Sequence, residues 1–120
     1  MKLFKILLLL CASSIFANLT INNIEKENLY IEITNSDNGT EIINTEIADS
    51  TIKNFAIETS KININLFFGA PLKATKVYGI DTSTNCKIIV EKIDCRWWDF
   101  SCIETKPAIK ASNCGNIVID

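Results

Sequence analysis

Apolar and polar residues alternate with a period of two through almost every segment of this chain after residue 18. Successive side chains of a strand point to opposite faces, so the pattern calls for strands with one buried and one wet face and leaves little room for helix. Leu19-Thr20-Ile21-Asn22 begins it, and Leu29 to Thr34 continues it with Leu29, Ile31 and Ile33 on one face. Ser36-Asp37-Asn38-Gly39 is a turn signal, because Asn-Gly tolerates the positive φ of a tight hairpin. Glu41 to Ile47 reads as the returning strand, although Ile42, Ile43 and Ile47 would also fit a helix face. Ala48-Asp49-Ser50 is a second turn, leading into Thr51 to Thr59.

Lys61 to Phe68 carries the cleanest alternation: Ile62, Ile64, Leu66 and Phe68 face inward, while Lys61, Asn63 and Asn65 face water. Thr75 to Ile80 and Cys86 to Ile93 follow as strands, and 115 to 119 closes the chain. Seven or eight short strands with turns roughly every 8 to 12 residues predict an all-β fold, a small antiparallel β-sandwich, immunoglobulin-like or similar.

The first 17 residues have the form of a signal peptide. Met1 to Lys5 is basic, Ile6 to Leu10 is apolar, and Ser13-Ser14-Ile15-Phe16-Ala17 offers a cleavage point after Ala17. The apolar run falls short of the about 20 residues that cross a bilayer, so no transmembrane segment is expected. Residues 18–120 are read as one secreted or periplasmic domain, and the simple leader is of the bacterial kind. A lipoprotein anchored through Cys11 is disfavoured, since Leu8-Leu9-Leu10-Cys11 carries a bulky Leu where such signals place a small residue. The full chain has a formal charge of −2, and loss of Lys2 and Lys5 leaves ten basic against fourteen acidic residues. Such mild acidity gives no reason to expect nucleic-acid binding.

Loss of Cys11 also turns five cysteines into four, Cys86, Cys95, Cys102 and Cys114. No two have Cys-x-x-Cys spacing, and export favours two disulfides in the C-terminal half over a metal site. An extended Cys86–Cys95 segment would hold its ends about 30 Å apart, against the ~6 Å of bridged α-carbons. The nested pairing, Cys95–Cys102 within Cys86–Cys114, is preferred, with the crossed pairing second. Nesting describes an antiparallel pair whose arms differ in length, and Pro107 is the expected site of a bulge.

That pairing would hold Arg96-Trp97-Trp98-Asp99-Phe100-Ser101 at the tip of the pair, with both tryptophans of the chain. Aromatic and Arg side chains cover area at low entropic cost and dominate binding hot spots. The alternative use of the rings is as core, with one Trp covering a disulfide. Lys106-Pro107-Ala108-Ile109-Lys110 reads as a solvated edge strand protected by Lys and Pro.

The chain has no histidine, which removes the usual general base and the commonest metal ligand. Catalysis would have to use paired carboxylates, drawn from Asp81, Glu91, Asp94, Asp99 and Glu104. No Gly-rich phosphate loop or Asp-rich calcium loop is present, so no cofactor is expected. The expectation is a non-enzymatic binding protein that contacts a protein or glycan partner through Arg96, Trp97, Trp98, Asp99 and Phe100. A secreted hydrolase or an envelope or pilus-like subunit with an open sheet edge are the alternatives.

Overall fold

The computed structural model describes residues 17–69, 73–92, 98, 100 and 106–120. Nine strands are formed by these residues: β1 (Leu19–Asn23), β2 (Leu29–Asn35), β3 (Glu41–Ile47), β4 (Thr51–Phe55), β5 (Lys61–Phe67), β6 (Thr75–Asp81), β7 (Cys86–Lys92), β8 (Pro107–Ser112) and β9 (Val118–Ile119). They make a four-stranded sheet of order β4-β1-β7-β8 and a five-stranded sheet of order β3-β2-β5-β6-β9.

One apolar cluster lies between the sheets. Leu19, Ile21, Ile88 and Val90 enter it from the four-stranded sheet, and Leu29, Ile31, Ile33, Ile62, Ile64, Leu66, Val77 and Ile80 from the five-stranded one. The inward residues are those of the alternating pattern, since burial at about 25 cal/mol per Å² fixes which face of each strand turns in. The fold is thus all-β and sandwich-like.

The hairpin β2–β3 closes through Asn35, whose N–H donates to Thr40 O at 2.8 Å, with Gly39 at φ 72°. Residues 41–47 pair antiparallel with β2, so the helical alternative for them falls away. Gly79 has a second enforced conformation. Between the pairs Ile62–Ile80 and Ile64–Val77, β6 presents both Tyr78 and Gly79 opposite Asn63. That bulge puts Gly79 at φ 74°, which a side chain would disfavour, and its N–H donates to Asn63 Oδ1 at 3.0 Å.

Several expectations are corrected. The strand count is nine among the described residues rather than seven or eight, with the edge strand read at 106–110 formed as β8. The fourth strand stops at Phe55 rather than Thr59, and the last spans only Val118–Ile119. The sheets are not purely antiparallel, because β1 pairs parallel with β7, Leu19 facing Cys86. A parallel pair needs a long crossover, and here β2 to β6 supply it. Strands 1, 2, 5 and 4 share a sheet in the constant-type immunoglobulin arrangement; here β1 and β4 lie in one sheet and β2 and β5 in the other. Asn63 and Asn65 are half-buried rather than solvated.

One buried asparagine, Asn23, organises the end of a strand. Asn23 continues the inward face of β1 after Leu19 and Ile21. Its Nδ2 donates to Glu27 O at 2.8 Å and Ala48 O at 3.2 Å, and its Oδ1 accepts from Glu25 N–H at 3.2 Å. Asn23 therefore ties the turn after β1 to the turn after β3. Asn65 Oδ1 behaves differently: it is buried and accepts no hydrogen bond among the described residues. Leaving such an oxygen unpaired costs about 1–3 kcal/mol.

Candidate functional site

The expected binding segment leaves the four-stranded sheet at Lys92 and returns at Pro107, which face each other as the last pair of β7 and β8. Both stems are held by the rest of the fold. Lys92 N–H donates to Glu25 Oε1 at 2.9 Å, and its Nζ pairs with Glu27 and lies 5.7 Å from the centre of the Phe68 ring. Pro107 is buried, and its carbonyl accepts from Thr75 Oγ1, at the start of β6, at 2.5 Å. The stem of β7 is thereby fixed to the turn after β1, and that of β8 to the opposite sheet.

Between these stems, Trp98 is 54% exposed and Phe100 is 93% exposed. Arg96, Trp97 and Asp99, the other residues expected at the contact, lie outside the described residues, as do Cys95 and Cys102. Trp98 is therefore not a core ring, and Trp97, the other ring that could take that role, lies outside the described residues.

A disulfide joins Cys86 to Cys114 with 4.4 Å between α-carbons, and both cysteines are buried. This is the outer bond of the nested pairing and excludes the crossed one. It lies at the opposite end of the β7–β8 pair from the loop, about 20 Å away along the strand. The bulge expected at Pro107 is absent: register is unbroken from Lys92–Pro107 to Lys87–Ser112. The extra residue falls instead at Asn113, whose φ of 58° turns the chain so that Cys114 reaches Cys86.

The basic stretch is indeed an edge strand, β8, with Pro107 as its first residue, where no ladder donor is lost. Lys110 Nζ lies 3.8 Å from Glu91 Oε1. Asp81 is also committed locally. Its Oδ1 accepts from Ser83 N–H at 2.9 Å and Ser83 Oγ–H at 2.6 Å, capping the short 3-10 turn Thr82–Thr84. These bonds hold the Asp81 carboxyl below its usual range. Asp81 N–H donates to Cys114 O, so it sits at the disulfide end, whereas Glu91 lies five residues along β7 from Cys86, toward the loop. The two do not form a catalytic pair. Asp94, Asp99 and Glu104 lie outside the described residues.

Among the described residues no group of three or more Cys, Asp or Glu side chains is placed to hold a metal ion. No helix among them is long and apolar enough to cross a membrane. The residues that support the loop, Glu25, Glu27, Thr75 and Lys92, carried no sequence signal. Each is an ordinary polar residue whose partner is distant in the chain.

Among the described residues, grooves lie on the outer faces of both sheets. One, about 390 Å³, runs over the four-stranded sheet past Ile52, Ile89, Lys87 and Lys110. The other, about 190 Å³, lies on the five-stranded sheet between Glu32, Thr34, Asn63, Asn65, Lys76 and Tyr78.

No protein-family model matches this sequence, and no similar protein is found among curated proteins or solved structures.

Proposed function

We propose that this chain is a small exported β-sandwich that works by binding, without enzymatic activity, and that the loop holding Arg96, Trp97, Trp98, Asp99 and Phe100 contacts a protein or glycan partner. The observation that carries this reading is the exposure of Trp98 and Phe100 between two stems fixed at Lys92 and Pro107. Large aromatic rings in water are unfavourable unless a partner covers them, and rings on fixed stems lose little entropy when covered.

In this reading residues 1–17 are a bacterial-type signal peptide removed after Ala17, and the mature protein is periplasmic or secreted. The buried Cys86–Cys114 bond supports an oxidising compartment. A second bond, Cys95–Cys102, would shorten the free part of the loop.

Single Trp98→Ala and Phe100→Ala variants test the loop. Loss of the partner from a variant that still folds supports it, and a partner held equally by both variants overturns it. Intact mass of the exported protein, before and after reduction, tests the rest. A start at Asn18 with no free thiol is expected; a lipid on Cys11 or free thiols would remove the basis for export as a disulfide-bonded protein.

A further inference from the structure

We infer that the groove on the outer face of the five-stranded sheet is a second site, which takes a single uncharged polyhydroxylated ring such as a hexose. Its floor is two cross-strand rows. Glu32, Asn65 and Lys76 face one another on β2, β5 and β6. In the next row Thr34 faces Asn63, opposite the bulge that carries Tyr78.

The ligand chemistry follows from what these groups leave unused. Asn65 Oδ1 is buried in the sheet face and accepts no hydrogen bond among the described residues. Asn63 has its Oδ1 occupied by Gly79 N–H at 3.0 Å, which fixes the side-chain orientation and turns its NH₂ into the available group. Among the described residues neither Glu32 nor Lys76 makes an ion pair; they stand on either side of Asn65, two strand spacings or about 9.6 Å apart. The rows thus present acceptors and donors in alternation: the Glu32 carboxylate, the Asn65 amide, the Lys76 ammonium, the Asn63 NH₂ and the Thr34 hydroxyl. A hydroxyl both donates and accepts, so a polyol can pair with donors and acceptors alike. A phosphate or carboxylate would meet Glu32, and a cation would meet Lys76.

Aromatic rings border the amide row on both sides. Tyr78, 38% exposed, lies beyond it on one side. On the other, Tyr30 and Phe67 stack with centroids 5.4 Å apart. The negative faces of such rings suit the C–H faces of a sugar. The groove volume of about 190 Å³ suits one ring rather than a chain of them. This site is on a different sheet from the loop stems, and it stands or falls independently of the loop.

The test is an NMR titration of the intact protein with glucose, galactose, mannose and N-acetylglucosamine, and with sodium phosphate and acetate as anion controls. Saturable shifts of the Asn65 side-chain amide and the Gly79 N–H with at least one sugar are expected. The affinity should fall at least tenfold in Asn65→Leu and in Lys76→Gln. Asn65→Leu removes an unpaired oxygen and should melt no lower than the parent. No saturable shift with any of the four sugars would overturn the proposal. So would shifts with the anions alone, sugar binding unaffected by both groove variants, or a marked loss of thermal stability in Asn65→Leu, which would make Asn65 structural.

Discussion

Thr75, in the five-stranded sheet, donates its hydroxyl hydrogen to the carbonyl oxygen of Pro107, in the four-stranded sheet, at 2.5 Å. The bond joins the two sheets where β8 emerges from the loop, and Thr75 is almost wholly buried. Thr75→Val keeps the shape and removes the donor. It should destabilise the fold by about 1–3 kcal/mol, since a buried carbonyl loses its partner. Thermal unfolding should show a Tm lower by roughly 5 °C or more. A Tm equal to that of the parent would mean that the bond does not hold the stem.

The disulfide acts through a long closed segment. Cys86 and Cys114 are 28 residues apart, and loop-closure entropy for that separation is worth about 3–4 kcal/mol. The double variant Cys86→Ala, Cys114→Ala should lose about that much in denaturant unfolding, with a larger m-value as the unfolded chain expands. A loss below about 1 kcal/mol would contradict a stapling role for the bond.

Asn23 serves four backbone groups from an inward position, the carbonyls of Glu27, Ile47 and Ala48 and the N–H of Glu25. Asn23→Leu leaves the carbonyls of Glu27 and Ala48 and the N–H of Glu25 without their partner. The extra apolar burial that Leu brings cannot offset this, so the loss should reach at least about 2 kcal/mol. Hydrogen exchange should quicken in both turns, after β1 and after β3. Exchange quickened in only one of them would show that Asn23 does not couple the two.

Asp81 gives a pH dependence of known sign. Its folded carboxyl is held below the ordinary value of about 3.9 chiefly by the Ser83 hydroxyl and then the Ser83 N–H. In acid the unfolded chain therefore binds the proton first. The stabilisation is fully present above about pH 3.9 and is lost as pH falls through the folded value. The Tm difference between the parent and Asp81→Asn should be largest near neutral pH and shrink toward zero in strong acid. A difference that grows in acid would contradict the assignment.

What could be read from the sequence was the face of each strand. In β5, Ile62, Ile64 and Leu66 were assigned inward and are buried, and Leu29, Ile31 and Ile33 likewise in β2. The turn at Gly39 and the outer Cys86–Cys114 bond were also legible. Strand neighbours were not, because a period of two fixes a face but not which strand lies alongside. The parallel partners Leu19 and Cys86 are brought together only by the intervening sheet. Asn23 and Asn65 escaped for a related reason. Each is a polar residue whose burial depends on what lies above it, Asn23 under two turns and Asn65 within a sheet face. The loop was legible as composition, with its aromatics and Arg, whereas its clamps at Glu25, Thr75 and Lys92 are long-range contacts that no local pattern announces.

The most direct test of the account compares binding with stability in Trp98→Ala and Phe100→Ala. Residues 18–120 and each variant are immobilised, exposed to the envelope and extracellular fraction of the producing cells, and the captured proteins and glycans are quantified beside the Tm of each form. Phe100 is 93% exposed, so its truncation should change stability by no more than about 0.5 kcal/mol, and the Tm of Trp98→Ala separates any loss of folding from loss of binding. The account predicts a partner held by the parent and lost at least tenfold, or about 1.4 kcal/mol, from one variant or both. A partner captured equally by all three forms, at unchanged Tm, would contradict it.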